Sequence, residues 1–119
     1  LPGQSYTFSV TASEGDYLSF ATMLGQSNDL FFAFDDEGFA LFDEMGDPMT
    51  GDVTMYVKLW DAGTEVNQAP GVGPDQAPRQ AGPDTGTDED GTVEDIEDVD
   101  DGFTYPAVDT VLQVTLSVE

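Results

Sequence analysis

Three stretches of this chain alternate apolar and polar residues with a period of two, and that periodicity restricts the fold more than any other feature. Residues 53–60, VTMYVKLW, set Val53, Met55, Val57 and Leu59 on one face against Thr54, Tyr56, Lys58 and Trp60. Residues 4–12, QSYTFSVTA, oppose Tyr6, Phe8, Val10 and Ala12 to Ser5, Thr7, Ser9 and Thr11. Residues 111–118, VLQVTLSV, oppose Leu112, Val114, Leu116 and Val118 to Val111, Gln113, Thr115 and Ser117. Successive side chains of a strand point to opposite faces, so each stretch reads as a half-buried strand.

The rest of the pattern agrees. YLSFATML (17–24) carries Leu18, Phe20 and Leu24 on one face, LFFAF (30–34) reads as a buried strand, and FALFD (39–43) follows a DDEG turn. The turns SEGD, GQSND and EMGDPMTGD separate them. About six short strands, no amphipathic helix and no internal repeat predict an all-β fold, an antiparallel β-sandwich, in one domain over residues 1–119. Residues 61–103 form a long glycine- and proline-rich loop region within it. Loops of that length in a compact domain are usually functional or disordered. Its second half, DTGTDEDGTVEDIEDVDDG, reads as disordered on composition, although Val93, Ile96 and Val99 recur every three residues and could pin it to the body.

Charge narrows the function. The chain has 25 acidic residues, two basic residues (Lys58 and Arg79) and no histidine, for a net −23. Nucleic acid and anionic membrane both require a basic patch, so neither is expected as a direct partner. Residues 84–101 hold ten acids and no base, yet the remaining 101 residues still carry −13. The acidity is therefore global, as in a protein adapted to high salt, where screening removes the self-repulsion of so charged a fold. There is no cysteine, hence no disulfide or thiol chemistry. No signal peptide and no apolar run of the ~18 residues needed for a membrane span is present. The chain starts at Leu1, directly before a strand-like pattern, as expected of a mature or trimmed piece.

The acids invite cation and catalytic readings. An EF-hand needs acids at loop positions 1, 3 and 5 and a glycine at 6. DEDG places its glycine too early, and DVDDG lacks the first acid of that frame. Without His or Cys, a transition-metal centre would have oxygen ligands only; hard cations, calcium above all, suit such a set. Without histidine no Ser-His-Asp arrangement can be built. A pair of carboxylates of glycosidase type carries no information in a chain with 25 acids, so the chain reads as a non-enzyme. Asp61 and Glu65 flank AGT, and in a turn opened by Gly63 two carboxylates at i and i+4 can converge on one ion. A solvated strand end is the alternative reading of the same spacing.

LWDAGTEVN (59–67), with FATMLGQSNDLFFAF (20–34) before it and PGVGPDQAPRQ (70–80) after it, resembles the spondin N-terminal domain, also called the F-spondin domain. In animal members the corresponding stretches look like a Ser-Pro-Asp-Trp-Phe segment and a Trp/Tyr-Asp-Ala-Gly-Thr-Asp segment. The likeness is closer to prokaryotic secreted members, which share QSNDLFFA, GDVT and WDAGTEVN. It runs from about Pro2 to the C-terminus. The resemblance implies a β-sandwich similar to calcium-dependent phospholipid-binding domains, with one calcium ion held by loops at one end. It also implies the ligands: Asp29, Asp61 and Glu65. Glu65 stands where the family has aspartate, which carries the carboxylate about one bond further out and makes bidentate binding easier. Asn28 stands where the family has proline and could add an amide oxygen. Family members usually carry a further stretch, including a first strand, before PGQSY. Its place is expected to be filled by a separate chain, by a part cleaved away, or by a neighbour's strand pairing with an open sheet edge.

Together these readings predict a secreted or cell-surface calcium-binding β-sandwich, a binding or adhesion module for an extracellular protein or glycan, without membrane insertion. The alternative is a structural subunit of an extracellular filament or surface layer, whose partners are copies of itself or a strand-donating chain. Arg79 is expected to brace the loop through a buried ion pair, and Trp60 to pack at the rim.

Overall fold

A computed structural model describes residues 2–119; Leu1, the expected start of the chain, lies outside them. The fold is all-β and antiparallel, as the alternation predicts. Its eight strands are short: β1 (Tyr17–Leu18), β2 (Thr22–Met23), β3 (Leu30–Ala33), β4 (Phe39–Ala40), β5 (Gly51–Asp52), β6 (Lys58–Asp61), β7 (Glu94–Asp95) and β8 (Thr115–Leu116). Three 3-10 turns, at Thr54–Tyr56, Ile96–Asp98 and Val108–Thr110, are the helical elements among the described residues. A central sheet runs in the order β2-β3-β6-β7, flanked by two-stranded sheets β1-β4 and β5-β8. The sheets are small and do not close on one another, an arrangement compatible with an open sandwich. Among the described residues no helix is long and apolar enough to cross a membrane.

One core holds the sheets together: Leu24, Leu30, Phe32, Phe34, Phe39, Val53, Val57 and Leu59 are buried. Leu30 and Phe32 of β3 and Leu59 of β6 point into it, while Phe31, Ala33, Lys58 and Trp60 on the alternate positions are only half-buried. Phe20, Phe34, Phe39 and Tyr56 form a chain of ring contacts with centroids 5.0–5.2 Å apart. Such pairs add roughly 0.5–1.5 kcal/mol each beyond their buried area.

Three alternating stretches depart from simple strands. Residues 17–24 are divided: β1 pairs with β4 and β2 with β3, so the chain passes from one sheet to another around Phe20. Residues 53–60 begin in a 3-10 turn and become strand only at Lys58. The cause is local. Asp52 Oδ1 accepts the Thr54 N–H at 2.9 Å, diverting the backbone from the ladder, and Tyr56 N–H then donates to the Val53 carbonyl at 3.0 Å. Met55 is turned out to solvent as a result. Residues 5–12 belong to no strand and pair with nothing among the described residues, and Tyr6, Phe8 and Val10 are exposed rather than half-buried.

The long loop is more tightly built than its composition predicts. Glu65 and Asp88 form an antiparallel bridge. Val66 N–H donates to Thr87, Glu89 N–H to Thr64 and Gly91 N–H to Gly63, at 2.8, 2.9 and 3.0 Å. β7 then adds to the edge of β6, with Asp61 opposite Glu94, and Ile96 packs against the core. Of the three spaced apolar residues, Ile96 is the anchor and Val93 stays exposed.

Candidate metal centre

The register of the central sheet assembles the site. β3 and β6 run antiparallel with Leu30 opposite Asp61, so Asp29, just before β3, lies beside the end of β6. Ala62 N–H donates to the Asp29 carbonyl at 3.4 Å. The turn ahead of β3 is closed by Ser27, whose buried Oγ donates to the Leu24 carbonyl (2.6 Å) and accepts the Leu30 N–H (3.1 Å). Asp29 is thus fixed by a side-chain-locked turn on one side and a ladder on the other.

Asp29 in turn holds the loop after β6. Its Oδ2 accepts the Thr64 N–H, the Thr64 hydroxyl and the Glu65 N–H, at 2.7, 3.0 and 2.9 Å. Its Oδ1 is buried and has no hydrogen-bond partner. Asp61 spends both oxygens on its own loop: Oδ1 accepts the Gly63 N–H at 2.8 Å and Oδ2 the Asn67 amide at 2.6 Å. Glu65 Oε1 accepts the Gly86 N–H at 2.8 Å. Glycine is required at position 63, and a larger residue at position 86 would displace the Glu65 side chain. Gly63 has φ +71°, and a Cβ on it would stand 2.7 Å from the Thr92 carbonyl oxygen; a Cβ on Gly86 would collide with Glu65 Oε1.

Asp29, Asp61 and Glu65, the three acids singled out in the sequence, thus lie on adjoining backbone segments, and all three are buried: Asp29 is 8% exposed, Asp61 4% and Glu65 8%. Burying carboxylates without a counter-charge is costly. Neither basic side chain supplies one. Lys58 pairs with Asp35 and Asp95 at 2.8 and 3.6 Å, and lies 5.7 Å from the centroid of the Trp60 ring. Arg79 bonds to neutral groups, the Gly73 carbonyl (2.8 Å) and the amide oxygens of Gln26 and Gln76. It braces the loop as expected, but through hydrogen bonds and from an exposed position, not through a buried ion pair.

Further acids ring the three. Burial, then the charges of Asp61, Asp29 and Glu94, push the Glu89 carboxyl above its ordinary range. Asn67 links Asp61 to Asp101, which accepts the Tyr105 hydroxyl; burial first, and then that bond and the surrounding negative charge, raise the Tyr105 phenol. As the side chains stand, no group of three or more acidic side chains among the described residues surrounds a common point closely enough to hold a metal. Asp29 Oδ1 and the second oxygen of Glu65 are the donors left without protein partners.

One expectation for a neighbouring ligand is corrected. Asn28 is buried, but its Oδ1 accepts the Gln68 N–H at 3.1 Å and the Gln76 amide at 3.5 Å, so it ties down the loop instead of facing an ion. Three carbonyls after Glu65 are likewise committed: Gln76 donates to those of Gln68 and Ala69, and Arg79 to that of Gly73. Trp60 packs at the rim, donating its indole N–H to the Ala33 carbonyl at 3.2 Å. Thr64, Asn67, Glu89 and Asp101 were missed in the sequence. Only the density of acids in residues 84–101 hinted at the last two. Comparison of the chain with family models, with curated proteins and with solved structures finds no match.

Proposed function

We propose that the chain is a non-catalytic, calcium-binding module of spondin N-terminal type, working outside the cell or on its surface in binding or adhesion. Its ligand would be an extracellular protein or glycan. One observation carries this reading: three buried carboxylates on adjoining backbone segments have no basic side chain to balance them, and one has a buried oxygen without a partner among the described residues. Such a donor set fits a hard divalent cation, which takes six to eight oxygens from carboxylates, carbonyls and water. Asp29, Asp61 and Glu65 would hold it. Each gives at least one oxygen to loop N–H or amide groups, so loading the site entails a local turn of these side chains. The ion supplies the counter-charge; Asp29 meanwhile keeps the 64–65 backbone in place and Gly86 orients Glu65. The likeness of residues 59–67 and 20–34 to the spondin domain supports the same three ligands and the adhesive role.

Thermal unfolding tests the proposal. With calcium at a hundred times its Kd, linkage contributes about 2.7 kcal/mol, on the order of 10 °C in Tm for a domain of this size. Chelation should remove that gain from the wild type, and Asp61→Ala should show no calcium response. A wild-type Tm indifferent to calcium and chelator would end the reading.

A further inference from the structure

Residues 5–12 carry a strand pattern without a sheet. They alternate, they are mostly exposed, and residues 4–12 make no hydrogen bond among the described residues. Tyr6 is 87% exposed, Phe8 70% and Val10 63%. The radius of gyration is 16.2 Å, against about 13.5 Å for a compact domain of this length, and the longest extent is 47 Å. In a chain of net −23, the first acid is Glu14, so this arm is also free of charge.

The same molecule carries an edge of matching chemistry. Among the described residues, β8 has β5 on one side and no strand on the other. Residues 110–118 around it hold no charged side chain. Leu112, Val114 and Leu116 pack against the core, while Gln113, Thr115 and Ser117 are exposed. Val114 satisfies its N–H and carbonyl on the β5 side, with Thr54 Oγ1 (2.8 Å) and Val53 N–H (2.9 Å). The β7 edge of the central sheet is unsuited, since β7 is Glu94–Asp95.

We propose that residues 5–12 of one copy add as a strand along the outer edge of β8 of a second copy, and that the exchange is reciprocal. Tyr6, Phe8 and Val10 then extend the core beyond Leu112, Val114 and Leu116, and the backbone groups of both unpaired edges are satisfied. Area argues for reciprocity. Each aromatic buries about 150–250 Å², so one arm with its receiving edge comes to roughly 800 Å² and two to roughly 1,600 Å², the size of a stable interface. Charge argues for a copy: only uncharged segments let two such acidic bodies touch, and molar salt shortens the Debye length to about 3 Å. The arm and the edge share no residue with the cation site.

Light scattering across a concentration series, in molar salt with calcium, reads the assembly, and single cysteines in this cysteine-free chain read the contact. The mass should rise to twice that of one chain. Mixed Ser9→Cys and Thr115→Cys variants should cross-link to each other on oxidation. Phe8→Asp should hold the chain monomeric with its thermal unfolding intact. A strictly monomeric wild type overturns the proposal. So does a Ser9→Cys/Thr115→Cys double variant that cross-links only within one chain, or a Phe8→Asp variant that still assembles.

Discussion

Asp29 is the residue on which the site turns. One of its oxygens closes the 64–65 loop and the other is buried without a partner, so the same side chain is both a structural clamp and an uncompensated charge. Asparagine can keep the clamp through its amide oxygen while removing the charge. Asp29→Asn is therefore expected to unfold at or above the wild-type temperature under chelation, yet to lose the calcium-dependent gain of about 2.7 kcal/mol. Paired melts in calcium and in chelator check this. A variant that keeps the full calcium response would remove Asp29 from the ligand set. Position 29 shows both how far the sequence could be read and where it stopped. The motif likeness pointed to Asp29, Asp61 and Glu65, but spacing could not show that Asp61 already gives both oxygens to Gly63 and Asn67. Nor could it show that Asn28 faces the loop.

At the scale of elements, the loop over 61–103 departs most from its composition. Its first part is pinned by Gln76, a fully buried amide between two proline-containing turns. Gln76 Oε1 accepts the N–H groups of Gly71 (3.0 Å) and Gly73 (3.2 Å), and its Nε2 donates to the Ala69 carbonyl (2.9 Å). Removing it strands the buried Gly73 N–H, at a cost of roughly 1–3 kcal/mol, while the Gly71 N–H keeps its bond to the Gln26 carbonyl at 2.9 Å. Gln76→Ala is expected to destabilise the domain by about 2 kcal/mol in urea unfolding; a change under about 0.5 kcal/mol, typical of a surface site, would show that the amide is not the pin. No rule of pattern singles out a lone glutamine in a polar stretch. Strand placement was legible where apolar residues alternate over a paired backbone, as in β3. It failed at Thr54–Tyr56, where the Asp52 side chain competes for the backbone, and at residues 5–12, where a good strand pattern has no neighbour.

For the whole molecule, charge is the governing quantity. With −23 on 119 residues, and only two cationic side chains, unscreened repulsion opposes the compact state. Stability should rise steadily from low to molar salt, measured as Tm in sodium chloride with calcium held constant. A Tm equal at both ends would contradict adaptation to high salt.

The amino-acid sequence by itself determined the class of the fold, the sign and extent of its charge, and the absence of thiol and imidazole chemistry, because these follow from local periodicity and from counting. The tertiary structure decided which carboxylate-bearing segments adjoin, which of their oxygens are already engaged, and which strand pattern is left without a sheet. Those depend on the register of β3 against β6 and on loop contacts between residues 20 to 60 positions apart, and no local pattern encodes them.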